Sequence, residues 1–348
     1  MNIEKQDVVN VLKMFRHPDY QSDLVTLKMV SHININGTTI NLELYTEKND
    51  PSHKEDLKNE VKSFLESRGL KVQSISFTDT KPTSDPAHKS PFEDQKKLPG
   101  IKHIIAVASG KGGVGKSTVS TNLAVALAKA GYQVGLMDAD IYGPSTDMMM
   151  GVQGEKPTTP DGKRITPIEK HGVKIMTMGF LTDPDMAVIW RGPMLMKAVN
   201  QFLNDVVWGE LDYLIVDLPP GTGDIQLTLT QEVPLSGAVV VTTPQDVALA
   251  DVRRGVRMFE KVNVPVLGIV ENMSFYSCPS CGHEDHIFGH NGGDKMADQL
   301  DVPLIGKIPL DPSVLHAGDS GKPIYLKDEK SKHADVFNTI VKIITDQA

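Results

Sequence analysis

Cysteine is nearly absent: Cys278 and Cys281 are the only two among 348 residues. That count excludes a disulfide framework and places both thiols in a single C-x-x-C turn. In a reducing compartment such a pair serves metal binding or redox chemistry rather than structure. Long hydrophobic runs are missing too. No stretch of 18 or more apolar residues occurs, so the sequence offers no membrane span. Met1-Asn2-Ile3-Glu4-Lys5 lacks the charged-then-apolar pattern of a signal peptide, which predicts a cytoplasmic protein. Positive charge is in deficit, with 36 Lys and Arg against 44 Asp and Glu for a net charge of −8. That balance argues against a chain whose main task is to coat nucleic acid. What remains is ordinary: 40% hydrophobic and 23% charged residues supply a core and exclude wholesale disorder. A chain of this length allows about two domains.

The first 77 residues predict a small α+β unit in the order αββαβ. Val8, Val11, Leu12 and Phe15 recur at helical spacing. Ile33 and Ile35, then Ile40, Leu42 and Leu44, alternate with polar residues on either side of Asn36-Gly37, a hairpin signal. Leu57, Val61, Phe64 and Leu65 mark a second helix that Gly69 would stop, and Val72–Phe77 a third strand. Residues 78–100 carry Pro82, Pro86, Pro91 and Pro99 among polar residues, which is linker composition. From residue 101 to 348, Val- and Ile-rich runs alternate with helical patterns. Ile104–Ala108, Gln133–Met137, Tyr213–Asp217, Gly237–Thr242 and Val266–Glu271 are the predicted strands. Lys116–Ala130, stopped by Gly131, and Asp246–Val262 are predicted helices. Such alternation predicts an α/β domain with a doubly wound, mostly parallel sheet. The stripe of Val336, Phe337, Ile340, Val341 and Ile344 has little basic charge beside it, so it predicts core packing rather than a membrane-surface helix.

Gly110-Lys111-Gly112-Gly113-Val114-Gly115-Lys116-Ser117-Thr118 fits G-x-x-x-x-G-K-[ST] between a predicted strand and a predicted helix. Glycines let backbone N–H groups wrap phosphate oxygens, and the helix N-terminus adds positive potential. Lys116 would reach the β- and γ-phosphates, Ser117 would ligate Mg²⁺, and Thr118 would meet the α-phosphate. Leu214-Ile215-Val216-Asp217 is an apolar strand ending in a carboxylate suited to Mg²⁺. Leu218–Asp224 follows as a switch that could sense the γ-phosphate, and Asp138-Ala139-Asp140 closes another strand. Asn272, after Val266–Glu271, has an amide able both to donate to and accept from an adenine edge.

Cys278 and Cys281 do not by themselves complete a four-coordinate metal site. His283, His286 or His290 could complete a zinc knuckle. The same pair in a second subunit could instead assemble four cysteines around a [4Fe–4S] cluster, or the pair could form a reversible disulfide.

The second lysine of the loop, Lys111, resembles that of the deviant Walker A class, which includes MinD, ParA and nitrogenase iron protein. The resemblance implies a nucleotide-sandwich homodimer in which Lys111 crosses to the partner's nucleotide. It also implies that Asp140 positions the attacking water, that Asp138 assists the metal and that Asn272 reads the base. Ser109–Thr118, Asp138–Ser145, Trp190-Arg191-Gly192-Pro193-Met194, Asp217–Asp224 and Glu271-Asn272-Met273-Ser274, followed by the two cysteines, occur in this order. Together they resemble the Mrp/ApbC family of iron–sulfur cluster carrier ATPases across about residues 101–325. That resemblance implies an ATP-hydrolysing homodimer that holds a [4Fe–4S] cluster between subunits through Cys278 and Cys281. Apo iron–sulfur proteins, and a cluster-assembly scaffold, would be its partners. The competing reading is a MinD/ParA-like ATP-dependent regulatory switch with a structural zinc site. Such a switch would use a basic membrane helix or DNA-binding stripe, and the sequence shows neither.

Overall fold

The computed structural model describes residues 5–347 apart from 21, 28, 37–38, 47–50, 79–97, 141–142, 182–191, 224–225, 229 and 231–232. Gly37 of the predicted hairpin, most of the predicted linker, Ile141-Tyr142, Trp190-Arg191 and Asp224 of the switch therefore lie outside the described residues. The chain divides into two compact units, Met1–Glu93 and Asp94–Ala348. Among the described residues no helix is long and apolar enough to cross a membrane.

In the first unit α1 (Lys5–Leu12), β1 (Val30–Asn36), β2 (Thr39–Tyr45), α2 (Pro51–Ser67) and β3 (Lys71–Thr78) follow one another. β1 and β2 pair antiparallel with Asn36 opposite Thr39, and β3 joins β2 in parallel. Alternation gives β2 its buried face: Ile40, Leu42 and Leu44 are inside. Leu57, Val61 and Leu65, spaced four apart on α2, close the same core. Phe15 lies just beyond α1 and packs edge-on against Phe64 at 5.4 Å.

The second unit is built on an eight-stranded sheet. Its strands are β4 (Ile101–Ser109), β5 (Val134–Asp138), β6 (Ile168–Lys170), β7 (Val173–Thr177), β8 (Leu211–Asp217), β9 (Gly237–Thr242), β10 (Val266–Glu271) and β13 (Leu304–Lys307). They lie in the order β13-β10-β9-β4-β8-β5-β7-β6. All neighbours are parallel except β6, a three-residue antiparallel edge on β7. β11 (Tyr276–Ser277) and β12 (Glu284–Asp285) form a separate small hairpin.

Central strands are buried on both faces, which is why they read as continuous apolar runs. Ile105 and Val107 face the core beneath α3 (Lys116–Lys129), while Ile104 and Ala106 are equally buried on the other side. α3 is buried along most of its length because the C-terminal helix Lys332–Gln347 covers it. Phe337, Ile340 and Ile344 of that helix are fully buried, as the sequence predicts for core packing. Each such side chain contributes about 1.5–3 kcal/mol over exposure. After α4 (Thr146–Met149) and α5 (Gly192–Asn204), α6 (Asp246–Lys261) packs on β9 and β4.

Strand order places the site. β4 leads through α3 to β5 on one side, while β9 lies on its other side. Loops leaving the carboxyl ends of β4 and its neighbours diverge there, and the crevice they leave is where ligands bind in such sheets.

Candidate functional site

Residues 110–115 form the turn from β4 into α3. Gly115 caps α3 in the left-handed region at φ 84°, and a Cβ there would lie 2.1 Å from Asn272 Nδ2. Any other side chain would meet both backbone strain and this overlap. Asn272 explains the close approach: its Nδ2 donates to the Val114 carbonyl at 2.9 Å, and its backbone N–H to Thr242. Thus Asn272 fastens the phosphate loop to the end of β10. Gly115→Ala is expected to cost about 2–4 kcal/mol from these two causes. Urea unfolding of the variant measures it, and a midpoint equal to that of the parent would sink the account.

Parallel register brings the carboxylates together. Asp138 ends β5 directly opposite Asp217 at the end of β8. Lys116, at the first turn of α3, reaches across with Nζ 2.8 Å from Asp217 Oδ1 and 3.7 Å from Asp140 Oδ2. Ser117 Oγ donates to Asp217 Oδ2 at 2.5 Å, and Ser120 Oγ to Asp217 Oδ1 at 2.6 Å. Asp138 accepts from the Asp140 N–H at 2.9 Å, from Thr177 Oγ1 at 3.2 Å and from the Thr146 N–H at 3.3 Å. Asp140 accepts from the Gly143 N–H at 3.3 Å.

The cluster sets three carboxylates against one ammonium in a buried place. Burial, then the Asp217 charge, push the Asp138 carboxyl from 3.8 up to about 7, with Lys116 pulling the other way. Burial works against the Lys116 charge, yet Asp217 and Asp138 outweigh it and hold that pKa above its usual value. Such an excess of buried negative charge beside a serine hydroxyl suits a hard divalent cation.

The raised Asp138 pKa carries a sign. Its stabilising contribution is complete below the unfolded value of 3.8 and is lost as pH rises through about 7. His333, whose pKa burial lowers, acts in the opposite direction below its ordinary value. We therefore expect Asp138→Asn to gain stability relative to the parent between about pH 5 and 8, a difference that cancels His333. Urea midpoints of both proteins across that range test this, and a constant difference contradicts it.

Beside Gly115, Thr118 and Asn272 lies a cavity of about 210 Å³, walled by Met148, Met149, Met273, Pro309, Leu310 and Asp311. Its apolar walls and polar rim suit a flat heteroaromatic ring. Sequence reasoning missed the Pro309–Asp311 wall. A local signal exists: Asp311 accepts from the Ser313 N–H as N-cap of helix Pro312–Asp319, with Pro312 in its first turn.

Lys111 stands apart from the cluster. It is partly exposed at the loop entrance, and its carbonyl accepts from Ser109 Oγ at 2.9 Å.

Cys278 and Cys281 occupy the turn between β11 and β12. The turn is closed by Cys278 N–H to His283 O at 2.9 Å and Gly282 N–H to Cys278 O at 2.8 Å. Cys278 is half-buried and Cys281 exposed. Backbone N–H groups of Ser280, then Cys281, lower the Cys278 pKa and so favour the thiolate that ligates metals. Two of the three loop histidines contact other groups: His286 faces the Ser274 carbonyl at 3.2 Å and packs edge-on against His290 at 4.2 Å. Among the described residues no His, Asp or Glu side chain gathers with the two thiols as a metal site.

Comparison with known proteins decides the family. Residues 100–345 match the family described as "ParA: NUBPL iron-transfer P-loop NTPase". The chain belongs to this family. An "Iron-sulfur cluster carrier protein" of Haemophilus influenzae is 43% identical over 344 residues, 99% of this chain and 92% of that protein. One of the same description from Aquifex aeolicus is 53% identical over 258 residues, 74% of this chain and 71% of that protein. Among solved structures, a nucleotide-binding protein of Archaeoglobus fulgidus in complex with ADP aligns with a TM-score of 0.61 at 39% identity. The alignment covers 69% of this chain and 93% of that one. The cell division ATPase MinD of Pyrococcus furiosus, at 24% identity and a TM-score of 0.53, shares the fold; 71% of this chain and 99% of that one are covered. As a P-loop NTPase of the iron-transfer family, the chain has the sheet that its sequence predicts and the kinship that its motifs suggest.

Proposed function

We propose that this P-loop ATPase carries an iron–sulfur cluster as cargo, held between two copies of the chain by Cys278 and Cys281 of each, and delivers it to apo-proteins. The carrying observation is the cysteine hairpin. Both cysteines of the chain sit in one turn at its tip, with Cys281 exposed and the Cys278 thiol biased towards thiolate, and among the described residues no histidine gathers with them. Two thiolates need two more ligands, and a two-fold axis supplies them.

For the ATPase chemistry, backbone groups of Gly110–Thr118 cradle the phosphates, Lys116 neutralises the β- and γ-phosphates, and the cavity by Asn272 and Leu310 takes the adenine. Ser117 and Asp217, with Asp138 beside them, would hold Mg²⁺, which supplies charge neutralisation for the leaving phosphates. Asp140 orients the attacking water, and Lys111 reaches the partner copy's nucleotide. Such positioning and charge stabilisation make up most of what phosphoryl transfer requires.

Nucleotide and cargo sites are joined within one subunit. Leu310, in the cavity wall, donates its N–H to Phe275 O at 2.7 Å and bridges Tyr276 at the root of the hairpin. Ser274 N–H bonds Ile308 O at 2.9 Å. A change in the cavity wall therefore moves the base of the cysteine turn, and ATP turnover regulates cluster release by this path. If Asp140→Ala delivered clusters as well as the parent, that coupling would fail.

Iron, sulfide and zinc per protomer after anaerobic reconstitution test the reading. About two irons and two sulfides per protomer, in a dimer, are expected for one shared [4Fe–4S] cluster. About one zinc without specific iron would overturn it in favour of a nucleotide switch with a structural zinc site.

A further inference from the structure

A groove that shares no lining residue with the phosphate loop lies between helices α6 (Asp246–Lys261), whose Asp251 abuts Gly110, and α7 (Gly292–Leu300). It encloses about 640 Å³. Its floor is apolar, made by Leu249 and Met296, both largely buried, with Phe288 beside them. Its rim is cationic, carrying Arg253, Arg254 and Lys295.

The charge on that rim is only partly spent. Arg254 pairs with Asp251 at 3.0 Å, and Asp246 also lines the groove. Arg253 is oriented by the neutral Gln299, donating to its Oε1 at 2.7 Å. Among the described residues no carboxylate pairs with Arg253 or Lys295 within ion-pair distance. A concave surface with surplus positive charge on a chain of net charge −8 selects an anionic partner. The apolar floor adds a requirement for aliphatic or aromatic side chains, which a phosphate backbone does not offer.

The groove is also registered to the cysteine turn. Phe288, Gly289 and His290, which line it, are the chain returning from that hairpin. Buried Glu271 ties the two together: Oε2 accepts from the Gly293 N–H at the start of α7, and Oε1 from Ser274 Oγ at the hairpin root, both at 2.5 Å. One carboxylate at the end of β10 thus fixes α7 and the hairpin in a single frame.

We propose that this groove docks an acidic, partly apolar extended segment of the protein that receives the cluster. The proposal rests on the carrier reading above. Arg253 and Lys295 bind its carboxylates while Leu249, Phe288 and Met296 take an intervening aliphatic side chain.

The test uses the full chain and a fluorescein-labelled synthetic peptide alternating Asp or Glu with Leu, read by anisotropy. The parent should bind it, with affinity falling as salt rises, and a Lys-for-acid control peptide should not bind. R253E/K295E should weaken binding by at least about tenfold while ATP turnover and iron content stay at parental values. Cluster transfer from the reconstituted dimer to an acidic apo-ferredoxin should slow by a similar factor, with loss to a small chelator unchanged. R253A/K295A, a milder change, should show the same direction with a smaller factor if the reversal impairs folding. Unchanged peptide binding in both variants overturns the proposal. So does a variant that loses dimerisation by sedimentation, which would assign the groove to a second copy, or duplex DNA that displaces the peptide. The peptide measurement needs no cluster, so it separates failure of this groove from failure of the carrier reading.

Discussion

Lys116→Ala should lower kcat/KM for ATP by about a thousandfold or more, because in the proposed site its ammonium neutralises the phosphates where charge builds in the transition state. The same change should alter stability in a pH-dependent way. Lys116 Nζ is 2.8 Å from Asp217 and 3.7 Å from Asp140, and its side chain is only 6% exposed. Removing one partner of a buried ion pair costs about 3–5 kcal/mol, since the remaining charge has lost its counterpart. Here the stranded carboxylates have an escape: they take up protons, as Asp138 already does near pH 7. The loss should therefore be largest at about pH 8 and shrink towards pH 5.5. Lys129→Ala is the contrast. Its pair with Glu329 has the same 2.8 Å separation, but both side chains are roughly half exposed. Solvent screening leaves that pair little to contribute, so the variant should unfold at nearly the parental urea midpoint at both pH values. Steady-state ATP turnover and urea midpoints at two pH values decide the matter. A Lys116→Ala protein that retained turnover would remove Lys116 from the phosphate site.

Cys278→Ala and Cys281→Ala should each abolish cluster binding completely, not by half. In the shared arrangement either substitution removes two of four ligands, one from each copy, and the remaining pair cannot hold a [4Fe–4S] cluster. Reconstituted iron should fall from about two per protomer to background in either single variant and in the double variant. ATP turnover should persist, because the backbone contacts of Ser274, Phe275 and Tyr276 with residues 308–310 do not involve the thiols. Iron and absorbance titrations on the three variants check this. Specific iron in the double variant would place the cluster on other ligands.

Much of the architecture is legible because its requirements are local. The glycines of residues 110–115 meet a need for tight backbone around phosphate. Strands such as Gly237–Thr242 and Val266–Glu271 are read with their observed ends, since burial on both faces leaves an uninterrupted apolar run. The stop of α3 before Gly131 is equally local, that glycine having φ 97°. Edge strands are harder. β6 is three residues long and largely exposed, so its Ile168-Glu169-Lys170 carries almost no pattern and the antiparallel edge was not anticipated.

The C-x-x-C pair shows the boundary most clearly. Spacing left zinc, a shared cluster and a redox pair as alternatives, because three histidines lie within reach in sequence. In the fold His286 meets the Ser274 carbonyl and the His290 ring, and among the described residues no third His, Asp or Glu side chain gathers with the two thiols.

The sequence alone determined the P-loop, the parallel sheet, the strand-end aspartates and kinship with cluster carriers, since these depend on backbone propensity, alternation and short-range spacing. Only the tertiary structure decided what meets what. Asn272 grips Val114 across 158 positions, and Asp138 faces Asp217 through strand register. Leu310 joins the cavity beside Asn272 to the cysteine turn, and the α6–α7 groove gathers cations from separate helices. Such contacts form between elements distant in the chain, where packing sets the partners and no local pattern encodes them.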